Sequence, residues 1–206
     1  MQIQKGKQFY FIANNLALDL VNTLVVDGDG REVELLKTFD DFLDWALSAE
    51  ILGEQMLAER KEVWKYKSKA IVELTLEFRR ELKKMAKALS KRNPVPISVI
   101  NRVNDVLRQK DGHFEVRQTT RGYTREFKVK FDSVNDLLLS IAESAMDLLC
   151  LGDPTRVKKC ENEGCVLYFY DTSKPGSRRW CSMSGCGNRA KANAFYSRKI
   201  LKSEQP

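Results

Sequence analysis

Two short cysteine segments in the last quarter of the chain carry the clearest chemistry in the sequence. The first reads Cys160-Glu-Asn-Glu-Gly-Cys165 and the second Cys181-Ser-Met-Ser-Gly-Cys186, so both are Cys-x-x-x-Gly-Cys. Four thiolates are the number and type of ligand that closes a tetrahedral structural zinc site. The pattern therefore predicts one structural Zn²⁺ with these ligands: Cys160, Cys165, Cys181 and Cys186.

The glycines in these segments and the cell compartment bear on this prediction. Gly164 and Gly185 suit tight turns that need a left-handed or otherwise unusual backbone conformation.

Residues 1–7 lack the apolar core of a secretory signal, which predicts a cytoplasmic protein. In that reducing compartment clustered cysteines are more often metal ligands than disulfides, although a reduced or redox-active dithiol is the alternative. The fifth cysteine, Cys150, lies in an apolar run and is expected to be a small buried residue.

The positive charge of the chain is concentrated around these cysteines. Residues 1–152 carry 24 Lys/Arg against 23 Asp/Glu, whereas residues 153–206 carry 11 against 5, out of a net charge of +7. Zinc with four thiolates adds a charge of about −2, which leaves the last segment at about +4. A small, basic, metal-stabilised segment favours an anionic partner, and nucleic acid is the usual one. No run of eighteen apolar residues exists, so no membrane partner is expected.

A second group of candidate residues lies near the N-terminus. Leu16, Leu20 and Leu24 share one helical stripe, and the polar residues beside them are Asp19, Asn22 and Thr23. These three side chains could bind a small ligand if they point into a pocket. The alternative is a solvated or hydrogen-bonding face of an amphipathic helix.

Catalysis is not expected from this sequence. The chain has no Ser/His/Asp set and no phosphate-cradling glycine loop, and its only histidine, His113, lies at a turn far from the cysteines. Four cysteines would also leave no open position on zinc for water. The sequence therefore predicts a protein that is not an enzyme.

Periodicity predicts the elements that must position these residues. Thr38 with Asp41 resembles a capping box for a helix that ends near residues 51–53. The apolar stripe from Ile71 to Leu89 predicts a long helix, and two further helices are predicted over residues 97–107 and 134–151. Alternating apolar residues predict a β-hairpin near 113–131. The Asn-Pro-Val-Pro link before residue 97 lacks the glycine of a usual helix-turn-helix turn, so that motif is not favoured.

The predicted fold class is α+β, in two domains. Residues 1–152 form a mostly helical domain with the hairpin, and residues 153–206 form a small four-cysteine zinc finger, with the boundary at Gly152-Asp-Pro154. In the finger, a small hairpin between the two cysteine pairs is expected to close over the metal, with Phe169 and Trp180 as its core. A helix is predicted from about residue 188 to 201.

The segment Trp180-Cys-Ser-Met-Ser-Gly-Cys-Gly-Asn-Arg-Ala-Lys191 resembles the CGNR zinc-finger family, named for residues that match Cys186 to Arg189. The first cysteine pair, Phe169-x-Asp-x-Ser173 and Arg178-Arg-Trp180 also fit that family. Residues 18–24 and Phe42-Leu-Asp-Trp45 look like the ABATE-type domain that precedes this finger. The resemblance implies a bacterial stress-induced transcription regulator with a DNA-binding finger and a ligand-sensing N-terminal domain. It names DNA as the partner and leaves room for a small-molecule effector and a homodimer.

Basic residues around the second cysteine pair are the candidates for phosphate or base contacts: Arg178, Arg179, Arg189, Lys191, Arg198 and Lys199. Those next to the ligands have an alternative role, because they could neutralise the thiolates or hydrogen-bond the ligand loops. The alternative function is accordingly a zinc-stabilised protein–protein interaction module without direct nucleic-acid binding.

Overall fold

A computed structural model describes residues 9–129 and 135–203. Seven α-helices dominate this part of the chain: α1 Leu16–Val21, α2 Phe39–Ser48, α3 Glu54–Lys65, α4 Ser68–Ser90, α5 Ile97–Leu107, α6 Asn135–Cys150 and α7 Asn188–Ser203. Three antiparallel strand pairs accompany them: β1 Leu24–Val26 with β2 Glu32–Glu34, β3 Gly112–Thr119 with β4 Gly122–Val129, and β5 Val157–Lys159 with β6 Tyr168–Tyr170. The predicted α+β class with a mostly helical N-terminal part is confirmed.

Helix α4 lies at the centre of the N-terminal core. Its predicted apolar stripe is buried, and Phe78, Leu82 and Met85 are each 0% exposed. The helix contacts α1, α2 and α5, and it also packs against β5, which leads into the first cysteine pair. The long helix therefore supports both the N-terminal core and the finger.

The predicted capping box starts α2. The Thr38 hydroxyl accepts a hydrogen bond from the Asp41 amide at 3.2 Å, and the Asp41 carboxylate accepts one from the Thr38 amide at 2.8 Å. The helix ends at Ser48, earlier than residues 51–53, because Glu50 adopts a left-handed conformation with φ of 58°. The sequence does not predict helix α3. Because Trp64 is the only residue that α3 buries, the helix lacks the apolar stripe by which an amphipathic helix is recognised.

The predicted hairpin is present as β3 and β4, joined by the two-residue turn Thr120-Arg121. Its register pairs Phe114 with Phe127 and Val116 with Arg125. The last two residues of the predicted span, 130 and 131, lie outside the described residues, as does the first residue of the predicted helix 134–151.

Two local expectations need correction. Cys150 is exposed, because the buried face of α6 runs through Ile141, Ala145 and Leu148 and leaves Cys150 on the other side. The strand pair of the finger joins β6 to β5, which precedes the first cysteine, so it is not a hairpin within the insert. Residues 9–12, just before α1, have no regular secondary structure, and the ring of Phe11 stacks on Trp45.

Among residues 9–129 and 135–203, none of the helices combines the length and the apolar character that crossing a bilayer requires.

Candidate metal centre and nucleic-acid interface

The four predicted ligand cysteines converge on one point. Their sulfur atoms all lie within 4.8 Å of one another. The Sγ atoms of Cys165 and Cys181 are 3.9 Å apart, and those of Cys181 and Cys186 are 3.5 Å apart. Tetrahedral coordination with zinc–sulfur bonds of about 2.3 Å requires sulfur separations of about 3.8 Å. The donor set and its spacing fit one structural zinc, and Cys160, Cys181 and Cys186 are buried.

The first cysteine turn depends on a glycine with a left-handed backbone. Gly164 has φ of 79°, and the Cys165 amide donates to the Asn162 carbonyl at 3.0 Å. A side chain at position 164 would meet no atom within 4 Å, so the backbone conformation alone favours glycine there.

The second turn has a different geometry, in which Gly185 takes the unusual but not the left-handed form of the expected backbone conformation. This glycine does not adopt a positive φ; it lies in a π-helical turn from Met183 to Gly187. Its amide donates to the Ser182 hydroxyl at 3.1 Å, and a Cβ at position 185 would lie 2.8 Å from that oxygen. Close approach of the cap, not a left-handed backbone, favours glycine here. The turn runs directly into α7, so the metal site fixes the start of that helix.

Hydrogen bonds and charge at the sulfur atoms favour a cation between them. The hydrogen-bonded contact between the sulfur atoms of Cys165 and Cys181 lowers the pKa of the Cys165 thiol and raises the pKa of Cys181. Four thiols this close cannot all ionise without a cation, whereas a bound zinc stabilises every thiolate. The Cys181 amide also donates to the Cys160 sulfur at 3.4 Å.

Arg189 contacts the metal ligands directly. Its Nη2 donates to the Cys186 sulfur at 3.0 Å, and this contact raises the pKa of the arginine. A guanidinium on a ligand sulfur orients the ligand and offsets the negative charge of the thiolate site.

Asp171 organises the insert between the two cysteine pairs, and sequence reasoning used it only as part of the family motif. Its carboxylate is 0% exposed and accepts from Lys158 Nζ at 2.7 Å, from the Ser173 hydroxyl at 2.6 Å and from the Arg178 amide at 2.8 Å. Burial alone would raise the pKa of Asp171, but these hydrogen bonds outweigh it and hold the pKa below its usual range. Lys158 is therefore used inside the finger and contributes little to its outer surface.

Arg178 fastens the finger to the N-terminal segment. Its guanidinium donates to the Ile12 carbonyl at 2.9 Å, to the Trp180 carbonyl at 3.0 Å and to the Cys181 carbonyl, and it lies 4.2 Å from the centre of the Phe169 ring. All of these partners belong to the protein. The structure thus gives Arg178 a role within the fold.

Asn22, one of the three polar residues predicted near the N-terminus, lies at the same junction. Its side chain donates to the Tyr168 carbonyl at 2.8 Å and accepts from the Tyr168 amide at 2.9 Å, so it pairs with β6 as a neighbouring strand would. Asn14 donates to the Tyr170 carbonyl at 3.1 Å, and the Tyr170 amide donates to the Ala13 carbonyl at 2.8 Å. Residues 12–22 and β6 therefore form one hydrogen-bonded junction.

Asp19 and Thr23 are also buried and hydrogen-bonded. The Asp19 carboxylate accepts from the amides of Ile12 and Ala13 at 3.1 and 3.0 Å, and burial raises its pKa to about 6. Thr23 donates to the Leu20 carbonyl at 2.7 Å and accepts from Arg79 Nη1 at 2.8 Å. The contacts match the hydrogen-bonding alternative rather than a solvated face or an open pocket, since Asp19, Asn22 and Thr23 are 7%, 1% and 2% exposed.

The remaining candidates for nucleic-acid contact lie further out. Arg179 is exposed, pairs with Glu161 at 2.6 Å and lies 4.9 Å from the Trp180 ring. Lys191 is exposed on the first turns of α7, and among the described residues it forms no ion pair. Arg198 and Lys199 belong to α7, but their side chains are outside the described part.

Fold and site together define a helical domain that carries a structural four-cysteine zinc finger. The chain belongs to the ABATE family, whose model, described as "Putative stress-induced transcription regulator", matches residues 14–152. The model of the CGNR zinc finger matches residues 156–199. No curated protein matches the chain. The predicted order of the two family segments is confirmed.

Proposed function

We propose that this protein regulates transcription by binding DNA through the zinc finger, with α7 as the main contacting element. The observation that carries the proposal is the position of α7: the helix starts at the zinc turn, and residues 191–196 are all exposed. Residues 188–203 include five Lys/Arg and no Asp/Glu. An exposed basic helix that begins at the zinc site suits contact with phosphates and with base edges in the major groove.

The six basic candidates divide into two groups on this proposal. Arg178 and Arg189 position the finger, because their guanidinium groups already bind carbonyl oxygens and a ligand sulfur. Lys191, Arg198 and Lys199 contact DNA from α7, and Arg179 lies beside the zinc turn as a secondary contact. This division differs from a uniform basic patch, and substitutions distinguish the two.

The test is a titration of fluorescently labelled duplex DNA over a range of salt concentrations. Lys191→Ala is expected to weaken binding and to reduce the slope of log K against log salt by about one, since one phosphate contact is lost. The matched control is Lys69→Ala on α4, where the side chain is 90% exposed but distant from the finger in sequence; it is expected to bind as the wild type does. Absence of wild-type binding at low salt, or equal weakening by Lys69→Ala, would refute the proposal.

A second function, protein–protein interaction through the finger, has one specific observation in its favour. Phe195 and Tyr196 on α7 are 59% and 62% exposed and pack edge to face with their ring centres 5.8 Å apart. Exposed aromatic side chains are typical anchors of protein interfaces. A wild type that binds no DNA but loses a partner on Phe195→Ala would favour this function.

Ligand sensing by the N-terminal domain remains a prediction, and the geometry bears on how it would operate. Because Asp19, Asn22 and Thr23 already bind groups of the protein, an effector there would have to displace internal hydrogen bonds. Such a displacement would act on β6 through Asn22. A thermal-shift screen against metabolites, repeated on Asn22→Ala, tests this route.

We propose no enzymatic activity for this protein, because four thiolates close the coordination sphere of the metal and leave no position for water.

A further inference from the structure

The hairpin formed by β3 and β4 exposes apolar side chains that the proposed function does not use. Every residue of β3 after Gly112 is exposed; Val116 and Tyr123 are each 77% exposed and Phe114 is 61% exposed. A two-stranded hairpin alone is marginally stable in water and usually needs further strands or a packed face. Within residues 9–129 and 135–203 no further strand pairs with β3 or β4, so the hairpin offers both an apolar face and an open strand edge.

The opposite, polar face of the hairpin has an unbalanced charge. The register places Glu115 directly across from Glu126, and like charges in that position are destabilising. Glu126 has Lys128 and Arg117 at 3.2 and 3.7 Å. Glu115 has His113 at 3.0 Å, which is cationic only when protonated. Among the described residues, Glu115 thus has no permanently charged cation as a partner.

The edge of β3 has a defined hydrogen-bonding pattern. Thr119 and Gly122 flank the two-residue turn, so they form the closing hydrogen-bonded pair of the hairpin. Hydrogen-bonded and non-hydrogen-bonded pairs alternate along antiparallel strands. The even-numbered residues of β3, including Phe114, Val116 and Gln118, therefore direct their backbone N–H and C=O groups outward from the hairpin.

We propose that β3 pairs antiparallel with β3 of a second copy of this chain, about a two-fold axis at Val116, to form a four-stranded sheet. In this register Val116 meets the partner's Val116 through the outward-facing backbone groups. Glu115 then lies opposite the partner's Arg117, and Arg117 opposite the partner's Glu115, in the non-hydrogen-bonded pairs where side chains are closest. The second copy supplies the cation that Glu115 lacks, and a two-fold axis repeats the contact.

The edge of β4 gains less from the same arrangement. Glu126 already has two cations within 4 Å, so a partner would add little to its balance. The self-complementary sequence Glu115-Val-Arg117 thus assigns the contact to β3.

The experiment is sedimentation equilibrium of the full chain without DNA, so its outcome is independent of the proposed DNA binding. The wild type is expected to show a concentration-dependent monomer–dimer equilibrium. Glu115→Arg alone and Arg117→Glu alone each raise the dimer Kd about tenfold, because each places like charges opposite one another at two symmetric positions. The double variant Glu115→Arg/Arg117→Glu restores the wild-type Kd, since the pair is only exchanged.

Val116→Lys abolishes the dimer, whereas Val63→Lys on α3 leaves it unchanged. Val63 is 61% exposed, so it controls for a lysine placed on an exposed valine. Zinc content and far-UV circular dichroism identify any variant that fails to fold, and the double variant tests the register in a folded chain. A wild type that stays monomeric at all concentrations, or a double variant as weak as the single ones, overturns the proposal.

Discussion

The zinc finger has two sides that use the same residue types for different purposes. On the docked side, backbone carbonyls and Asp171 hold Arg178 and Lys158, and Asn22, the residue directly after α1, pairs with β6. On the projecting side, α7 leaves the metal turn with residues 191–196 exposed.

The difference shows that a count of basic residues overstates the surface charge available to a partner. Arg178, Arg189 and Lys158 add to the formal charge of the finger, but each is bound to an acceptor within the protein. Among the described side chains of the finger, Lys159, Lys174, Arg179 and Lys191 are exposed.

Removal of a metal ligand should disrupt both the docked and the projecting side of the zinc finger, and we expect it to have the largest effect on stability. Cys181→Ser is expected to lose stoichiometric zinc and the folded finger, because a structural zinc contributes on the order of 10 kcal/mol to a small module. Elemental analysis and circular dichroism check this. Cys150→Ser is the control, since Cys150 is exposed and outside the ligand cluster, and it should keep one zinc per chain. Full zinc retention by Cys181→Ser would contradict the site.

Loss of the Asn22 side chain should weaken only the docked side of the zinc finger. Asn22→Ala leaves the amide and carbonyl of Tyr168 buried without their partner, and we expect a loss of about 3 kcal/mol in the free energy of unfolding, measured by urea titration. Zinc content should stay at the wild-type value. Asn193→Ala on the exposed helix should change stability by less than about 0.5 kcal/mol. Equal effects of the two substitutions would remove the distinction between the sides.

The pH dependence of stability at the junction between residues 12–22 and β6 should depend on Asp19. Burial raises the pKa of this carboxyl to about 6, above its unfolded value of about 3.9, so the folded state holds the proton more tightly. Its contribution to stability is therefore fully present below pH 4 and is lost as the pH rises through 6. Asp19→Asn keeps an oxygen acceptor for Ile12 and Ala13 without the charge, and it should remove up to about 3 kcal/mol of this loss.

Urea titrations of the two proteins at several pH values between 4 and 7 measure that difference. Acid release of zinc affects both proteins equally, so the comparison isolates Asp19. Parallel stability curves for the variant and the wild type would show that Asp19 does not titrate in this range.

The smallest expected effect concerns the first cysteine turn, which supports both sides. Gly164→Ala should destabilise the finger by about 1 to 2 kcal/mol through its left-handed backbone. Gly164→Asn should cost less, because asparagine tolerates that conformation. Chelator competition for zinc reads out both variants. A larger loss for Asn than for Ala would indicate that side-chain volume, not backbone conformation, restricts the position.

Much of the fold could be predicted from local pattern. The buried stripe of α4, the capping box of α2 and the hairpin all follow from periodicity and from short-range hydrogen bonds, which depend on neighbouring residues only. The sequence does not predict α3 because this helix buries one residue. The prediction that Cys150 is buried is wrong because an apolar run does not show which side of a helix faces inward.

The sequence by itself determined the four zinc ligands, the concentration of basic charge around them and the helix that follows. Those features depend on residue type and spacing along the chain. Only the tertiary structure decided which basic residues remain outward and that Asn22 joins α1 to β6, a contact that spans 146 positions of sequence. Its physical reason is that a buried polar group must find a partner wherever the fold brings one, and no local pattern specifies that partner.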